Sequence, residues 1–275
     1  MSLEPFETAE PALARFALKP AFQRAANAVA AIAKRGFDVL LPPQCLSCRT
    51  LVDQPGLLCA KCFSGAQAIA PPFCRSCGVP LPSASGISGL AHVDLSCGRC
   101  LTEPPVFTRA RSVFVYDDVA RRLVHDLKYG DRLEGRASFG AWLARAGGDC
   151  ATQADFIIPV PLHYIRLVRR RYNQAVVLAK ALSQSTRRPL AVDALRRVRP
   201  TKSQTGLSAD ARASNMRGAF QVRKNWVGRI KGAQIVLVDD VMTTGATVNA
   251  CARALKRAGA ADITVLTLAR VKEPM

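Results

Sequence analysis

Aromatic residues, acidic residues and long apolar runs are all scarce in this 275-residue chain. Aromatic side chains make up only 6% of the residues, which argues against a surface that binds nucleic-acid single strands mainly by base stacking. The 20 acids face 39 lysines and arginines, so the formal net charge is +19 and a polyanionic partner is favoured. The longest apolar stretch, 25–33, is too short to span a bilayer.

The first residues show no export signal. Positions 1–10 contain three acids and no positively charged segment. We therefore expect a cytoplasmic protein without a membrane span, whose cysteines stay reduced. Residues 1–20 lack a periodic apolar pattern, so we expect them to form a loose arm. The apolar spacing over 21–34 predicts a short basic amphipathic helix. Packing on its own domain is favoured for this helix over a role as a membrane or nucleic-acid anchor.

Positive charge is concentrated in the segment 163–231, which has seventeen lysines and arginines against two acids, Asp193 and Asp210. Such a surface attracts polyanions, whether pyrophosphate, nucleic acid or acidic lipid. The alternative is a solvated basic face that keeps the protein in solution, and for any single arginine this remains the better account.

Eight of the ten cysteines form four C-x-x-C pairs within 56 residues. Each pair places two thiolates on one metal ion at the tip of a tight turn, and two pairs complete a tetrahedral zinc site. Sequential pairing and interleaved pairing both satisfy the spacing. Disulfides are disfavoured in a reducing compartment, and iron–sulfur ligation fits less well. The predicted ligands of two structural Zn²⁺ ions are Cys45, Cys48, Cys59, Cys62, Cys74, Cys77, Cys97 and Cys100.

The stretch 235–247, I-V-L-V-D-D-V-M-T-T-G-A-T, predicts the centre of an α/β fold. Four apolar residues favour a strand buried on both faces, and apolar residues then repeat at helical spacing until Gly259. Asp239 and Asp240 stand at the end of this strand, before a turn rich in hydroxyls. The turn and the helix N-terminus make a cradle for a phosphate, and the carboxylates suit a diol or a hydrated divalent cation. A ribose 5-phosphate site is therefore predicted.

Two other interpretations of the same stretch are weaker. An ordinary strand that ends in a solvated turn requires no particular order of hydroxyls. A Walker-type phosphate loop requires a lysine that is absent here.

Strands and helices alternate after Pro104-Pro105. The alternation predicts a domain over 104–275 with a mainly parallel sheet flanked by helices, preceded by a double zinc ribbon over 42–103 and an N-terminal arm over 1–41. The predicted strands are 111–116, 155–160, 235–238 and 263–269, and the predicted helices are 119–127, 134–146, a helix that begins at 172–174 and a helix from 247 to 258.

The thirteen residues of the central stretch resemble the phosphoribosyl-pyrophosphate (PRPP) motif of the type I phosphoribosyltransferases. With the four cysteine pairs, the chain from about residue 37 resembles the ComF family of competence-associated proteins. The resemblance implies PRPP with Mg²⁺ as the ligand and Asp239 and Asp240 as the catalytic pair that holds the ribose hydroxyls. It also implies that the 5-phosphate is bound by Thr243, Thr244, Gly245, Ala246 and Thr247.

Further segments resemble the pyrophosphate loops and the lid of the same family. A lysine-aromatic segment, an arginine-rich run before a helix, and a long polar connection over 196–220 match in position. A lid is chemically reasonable because displacement at the anomeric carbon passes through a cation-like sugar that water would destroy. The residues implied for pyrophosphate and lid contacts are Lys128, Arg170, Gln174, Lys202, Gln204 and Arg212.

One departure from the superfamily bears on function. Members that act on purine bases carry a carboxylate general base three residues after the second acid, and this chain has Thr243 there. A threonine cannot take up a proton at neutral pH, so an acceptor must bring its own nucleophilic lone pair or use another base.

Three functions remain open at this point. The ComF resemblance implies a PRPP-binding protein that assists DNA uptake by handling single-stranded DNA with the uptake machinery. The alternative is an enzyme that transfers phosphoribose from PRPP to a nitrogen acceptor. A PRPP-sensing regulator without turnover is the third.

Overall fold

A computed structural model describes residues 42–82, 95–129, 135–162, 172–199 and 218–272. The predicted arm and amphipathic helix over 1–41 lie outside these residues. So do most of the polar connection over 196–220 and the arginine-rich run before residue 172.

Six strands are present in the described residues: β1 (Arg109–Val115), β2 (Phe156–Pro159), β3 (Leu195–Arg197), β4 (Phe220–Val222), β5 (Gln234–Met242) and β6 (Asp262–Arg270). Four of them form a parallel sheet in the order β1-β6-β5-β2. β3 and β4 pair antiparallel at the two ends of the long polar connection. The predicted α/β fold with a mainly parallel sheet is confirmed.

The α-helices are α1 (Ala60–Gly65), α2 (Gly98–Thr102), α3 (Asp118–Tyr129), α4 (Arg136–Gly147), α5 (Asp149–Thr152), α6 (Gln174–Thr186), α7 (Val227–Ile230) and α8 (Ala246–Arg257). A 3₁₀ turn, Lys224–Trp226, precedes α7. Across the part of the chain that the structure describes, no helix combines the length and the apolar character needed to cross a membrane.

The sheet is buried on both faces, as the apolar run of β5 predicts. Ile235 and Leu237 belong to one core, which includes the buried face of α8. Val236 and Val238 belong to the opposite core, with α3, α4 and α6. This alternation follows from the two-residue period of a strand, and it explains why β5 needs four apolar residues in succession.

The two cysteine-rich modules pack against different cores. Cys45 and Cys62 of the first module are buried with α3 and α4. Cys74 and Cys77 of the second are buried on the α8 side. Each module therefore contributes apolar surface to one face of the α/β domain.

Strand β5 is longer than predicted and runs through both acids to Met242. Parallel pairing with β6 continues as far as the pair Met242–Arg270, and this pairing keeps the acidic segment extended. Asp239 and Asp240 thus lie in the last part of β5, at the carboxyl edge where parallel sheets bind their ligands.

Candidate functional site

The turn between β5 and α8 is shaped by Gly245. Its φ of +78° lies in the left-handed region, and an added Cβ would lie 2.9 Å from Cε of Met242. Glycine adopts this backbone without the strain that a side chain brings, so three residues suffice to connect the end of β5 at Met242 to the start of α8 at Ala246. The first amides of the twelve-residue helix therefore stand next to the hydroxyl-bearing residues of the turn.

The hydroxyls of the turn lie in different environments. Thr243 is exposed, whereas Thr244 and Thr247 are half-buried. Oγ1 of Thr244 is buried and makes no hydrogen bond within the described part of the chain. A buried hydroxyl without a partner costs about 1–3 kcal/mol, and this one lies in the turn next to the N-terminus of α8.

The carboxylates of Asp239 and Asp240 are half-buried and fixed by the backbone that follows them. Asp240 N–H donates to Oδ1 of Asp239 at 2.9 Å, and Val241 N–H donates to Oδ1 of Asp240 at 2.7 Å. Both acids are therefore held in defined rotamers at the edge of the sheet, where carboxylate oxygens accept hydroxyls or bind a divalent cation.

The second cysteine module contacts the turn directly. Arg99, between the two cysteines of the fourth pair, donates from Nη2 to the carbonyl oxygen of Thr244 at 3.0 Å. Nearby, the backbone N–H of Val106 donates to Oδ1 of Asn249 on α8 at 2.9 Å. The conformation of the predicted phosphate loop is thus stabilised by a charged side chain from the module.

The eight paired cysteines form two four-sulfur clusters, and within each cluster the ligand atoms all lie within 4.8 Å of one another. The first contains Cys45, Cys48, Cys59 and Cys62, and the second contains Cys74, Cys77, Cys97 and Cys100. The pairs therefore combine sequentially, which spacing alone left open.

The sulfur positions fit tetrahedral zinc. Sγ of Cys48 lies 3.5 Å from Sγ of Cys59, and Sγ of Cys77 lies 3.7 Å from Sγ of Cys97. Four thiolates at the usual Zn–S distance of about 2.3 Å are about 3.8 Å apart. Because all four positions are protein ligands, the clusters support structural zinc ribbons.

The cysteine thiols of one cluster differ in pKa. Hydrogen bonds from Thr50 lower the pKa of Cys48 to about 6, whereas burial raises the pKa of Cys62 to about 12. Burial likewise raises the pKa of Cys77 to about 11. Metal binding must therefore release protons from the high-pKa thiols.

The remaining predicted contacts are only partly described. Gln174 begins α6 and is 2% exposed, and its Nε2 has no hydrogen-bond partner among the described residues. The backbone of Lys128 lies in the last turn of α3. The predicted positions that fall outside the described residues are Arg170, Lys202, Gln204 and Arg212.

Sequence reasoning missed two arginines at this end of the sheet. Arg99 gave no signal, because any residue type fits between the cysteines of a zinc knuckle. Arg270 ends the apolar strand β6, is 2% exposed, and donates from Nη2 to Sγ of Cys77 at 3.4 Å. An arginine at the end of a buried strand, at the same edge as the aspartates, is a detectable signal.

Two family comparisons agree with this architecture. Residues 36–101 match the double zinc ribbon domain, and residues 157–274 match the phosphoribosyl transferase domain. The solved orotate phosphoribosyltransferase from Aeropyrum pernix has 21% identity, with 58% of this chain and 68% of that chain covered and a TM-score of 0.33.

Curated relatives match about four-fifths of the chain. The DNA utilization protein YhgH of Salmonella typhimurium is 34% identical over 236 residues, which cover 84% of this chain and 98% of that protein. Competence protein F of Haemophilus influenzae is 31% identical over 235 residues, which cover 82% and 96% of the two chains. Competence protein ComFC of Bacillus subtilis is 26% identical over 221 residues, which cover 78% and 84%. With both domains matched and relatives of this length and identity, the chain belongs to the ComF family, in which a double zinc ribbon is joined to a phosphoribosyltransferase domain.

Proposed function

We propose that the chain binds PRPP or another phosphoribose ligand at the carboxyl edge of β5. The observation that carries this proposal is the buried Oγ1 of Thr244, which has no hydrogen-bond partner among the described residues. In a solvated turn a threonine would rotate its hydroxyl towards water, whereas here the hydroxyl is enclosed next to the N-terminus of α8. A phosphate oxygen would accept from this hydroxyl and from the first amides of the helix.

The sugar would lie over the two carboxylates. Asp239 and Asp240 are adjacent in β5, and their Oδ1 atoms are held by backbone N–H groups. Carboxylate oxygens at this edge of the sheet would accept from the hydroxyls of a ribose diol. Mg²⁺ bound with PRPP would neutralise part of the pyrophosphate charge. Lys128, Gln174, Arg170, Lys202, Gln204 and Arg212 stay in the proposal as pyrophosphate and lid contacts.

Isothermal titration of the zinc-loaded protein with PRPP and Mg²⁺ tests the ligand assignment. The double variant Asp239→Asn/Asp240→Asn should weaken binding by at least tenfold, about 1.4 kcal/mol, because the carboxylates can no longer accept from the ribose hydroxyls with full charge. Asp155→Asn is the control. This acid lies at the opposite edge of the sheet, where it accepts from Gln234 N–H. Equal affinity in all three proteins would refute the site.

A second function, handling of single-stranded DNA in the cytoplasm during DNA uptake, is favoured by a groove beside the first cysteine cluster. The groove, of about 1020 Å³, lies between the first zinc ribbon and α3. Four exposed cations line it: Arg49, Lys61, Arg121 and Arg122. Two acids, Asp118 and Asp126, also line it, and Asp118 pairs with Arg121 at 3.1 Å. The names of the relatives, DNA utilization protein and competence protein, indicate the same class of ligand.

The groove suits a phosphodiester backbone more than a small molecule, because its cations are spread along an open surface. Phe63, on the same helix as Lys61, is 74% exposed but does not line the groove. The proposal is therefore a PRPP-binding protein that carries a nucleic-acid groove on its first ribbon.

Salt-dependent binding of an oligo(dT) probe tests the groove. Arg49→Gln and Lys61→Gln should each lower the magnitude of the slope of log K against log salt by about 0.7, one released counterion per phosphate contact. Arg145→Gln, an exposed arginine of α4 outside the groove, should leave the slope unchanged. Identical slopes for all variants would place DNA elsewhere or exclude it.

Turnover is the alternative to binding alone. The third residue after Asp240 is Thr243, which is exposed and cannot act as a general base at neutral pH. A transferase would therefore require an acceptor substrate with its own nucleophilic nitrogen. Release of pyrophosphate from PRPP in the presence of candidate amines distinguishes an enzyme from a binding protein.

A further inference from the structure

A small cavity lies between the second cysteine cluster and the start of α8, and its volume is about 190 Å³. Besides Cys77 and Cys100 of the cluster, the residues on its wall that can form hydrogen bonds or ion pairs are Arg99, Glu103, Thr244, Asn249, Arg253 and Arg270. Prolines, Val106, Phe107 and Met242 form the apolar part of the wall. Three guanidinium groups and one carboxylate thus border a space whose wall is both polar and apolar.

Arg270 is the feature that requires an explanation. Its side chain is buried, with 2% of the residue exposed, and Nη2 donates to Sγ of Cys77 at 3.4 Å. Nε and Nη1 have no hydrogen-bond partner in the described parts of the chain. These two nitrogens carry three N–H donors on a group that stays ionised at every physiological pH. Burial of an ionised group with most of its donors unused is strongly unfavourable unless something else accepts from them.

The cysteine cluster accepts a hydrogen bond from only one of the three guanidinium nitrogens of Arg270. A loaded tetrathiolate zinc site has a formal charge of −2, and Nη2 already contacts one of its thiolates. Arg99 uses Nη2 on the carbonyl oxygen of Thr244. Among the described residues, Glu103 is the one carboxylate on the cavity wall beside Arg99, Arg253 and Arg270, and Cys77 and Cys100 of the cluster also border it. With zinc bound, the charges of the three arginines are balanced by Glu103 and the cysteine cluster, and the donors that lack a partner among the described residues are those on Nε and Nη1 of Arg270.

We propose that this cavity is a binding site for a small oxyanion, of the phosphate or short carboxylate class, held by Arg270 with Arg253 and Arg99. The size of the cavity sets the class, because 190 Å³ equals the liquid volume of about six water molecules. Sites for drug-sized ligands have about 300–1,000 Å³, so the volume favours a small ion over a nucleotide. The site is additional to the proposed phosphoribose site, although Thr244 borders the cavity. An anion here would connect the second ribbon to the phosphate loop.

Anomalous diffraction from crystals of the zinc-loaded protein soaked in selenate locates such an anion directly. The expected result is a selenium peak in the cavity, within hydrogen-bond distance of Nε or Nη1 of Arg270. Water alone in the cavity, or a peak confined to the amides of the β5–α8 turn, would overturn the proposal. A peak at that turn bears on the phosphoribose site instead, so the two proposals are separated by position.

Thermal unfolding gives the same test in solution and distinguishes the two anion classes. Inorganic phosphate and acetate are titrated against chloride at equal ionic strength, with the unsubstituted protein, Arg253→Gln and Arg257→Gln. Arg257 is exposed on the same helix and does not line the cavity. Arg253→Gln should raise the apparent Kd of the stabilising anion about tenfold, since a charge-assisted hydrogen bond is lost. Arg257→Gln should leave it unchanged, and equal shifts in both variants would refute the site. If PRPP fails to bind while the Arg253-dependent shift persists, only the phosphoribose proposal falls.

Discussion

Replacement of Thr244 by valine separates a ligand site from an ordinary turn. Valine keeps the shape of threonine and removes only the hydroxyl, whose oxygen is buried without a partner in the described residues. In the free protein the hydroxyl loses its hydration on folding and gains no hydrogen bond from the described residues in return. We therefore expect Thr244→Val to stabilise the ligand-free protein while it weakens the binding of PRPP.

Both magnitudes follow from the same hydrogen bond. An unsatisfied buried hydroxyl costs about 1–3 kcal/mol, so the variant should gain up to that free energy of unfolding. For a chain of this length each kcal/mol corresponds to roughly 2–4 °C in Tm. In the complex the hydroxyl donates to a charged phosphate, a bond of about 1.5–3 kcal/mol, so affinity should fall about 10- to 150-fold.

Thr264→Val is the matched control. Oγ1 of Thr264 is also buried without a partner in the described residues, but it lies near the opposite end of β6. This variant should gain stability in the same way and bind PRPP with unchanged affinity. Differential scanning calorimetry and isothermal titration measure the two quantities. A Thr244→Val protein that is less stable when ligand-free, or that binds PRPP as well as Thr264→Val does, would refute the reasoning.

Three further predictions concern the ribbons and the core. Addition of zinc to metal-free protein at pH 7 should release protons, because burial raises the pKa of Cys62 to about 12 and that of Cys77 to about 11. An indicator dye that records no proton release would contradict this prediction. Arg99→Met should lower PRPP affinity at least tenfold with zinc content unchanged, because the loop loses a charge-assisted hydrogen bond of about 1.5–3 kcal/mol at the carbonyl of Thr244. Unchanged affinity would exclude a role for the ribbon in positioning the loop. Gly140→Ala should cost about 1–3 kcal/mol of stability, because the added Cβ would lie 2.4 Å from a carbonyl oxygen of α6. Gly228→Ala is the control and should show none of this packing penalty, because its added Cβ meets no atom of another described part of the chain within 4 Å.

The fold was predictable because its signals are local. The apolar run of β5, the acids, the glycine of the turn and the helical spacing after it all lie within one continuous segment, and each has a direct structural consequence. The end of β5 was less predictable, since pairing with β6 carries the strand past Asp239 and Asp240 to Met242. Strand ends depend on the neighbouring strand, which periodicity in one segment does not reveal.

Contacts between distant segments account for most of what sequence reasoning missed. The bond from Arg99 to Thr244 joins residues 145 positions apart, and the contact of Arg270 with Cys77 joins residues 193 apart. The sequential pairing of the cysteines is of the same kind, because the C-x-x-C spacing fits either arrangement. These features depend on how the ribbons pack on the sheet, and that packing is a property of the whole fold.

The central claim is a phosphoribose site formed where β5 joins α8. Titration of PRPP with Mg²⁺ into the zinc-loaded protein, repeated with Asp239→Asn/Asp240→Asn, tests it most directly. The account predicts saturable one-site binding that weakens at least tenfold in the double variant while its Tm without ligand stays close to that of the unsubstituted chain. Absence of binding by the unsubstituted protein, or equal affinity of the folded double variant, would contradict it.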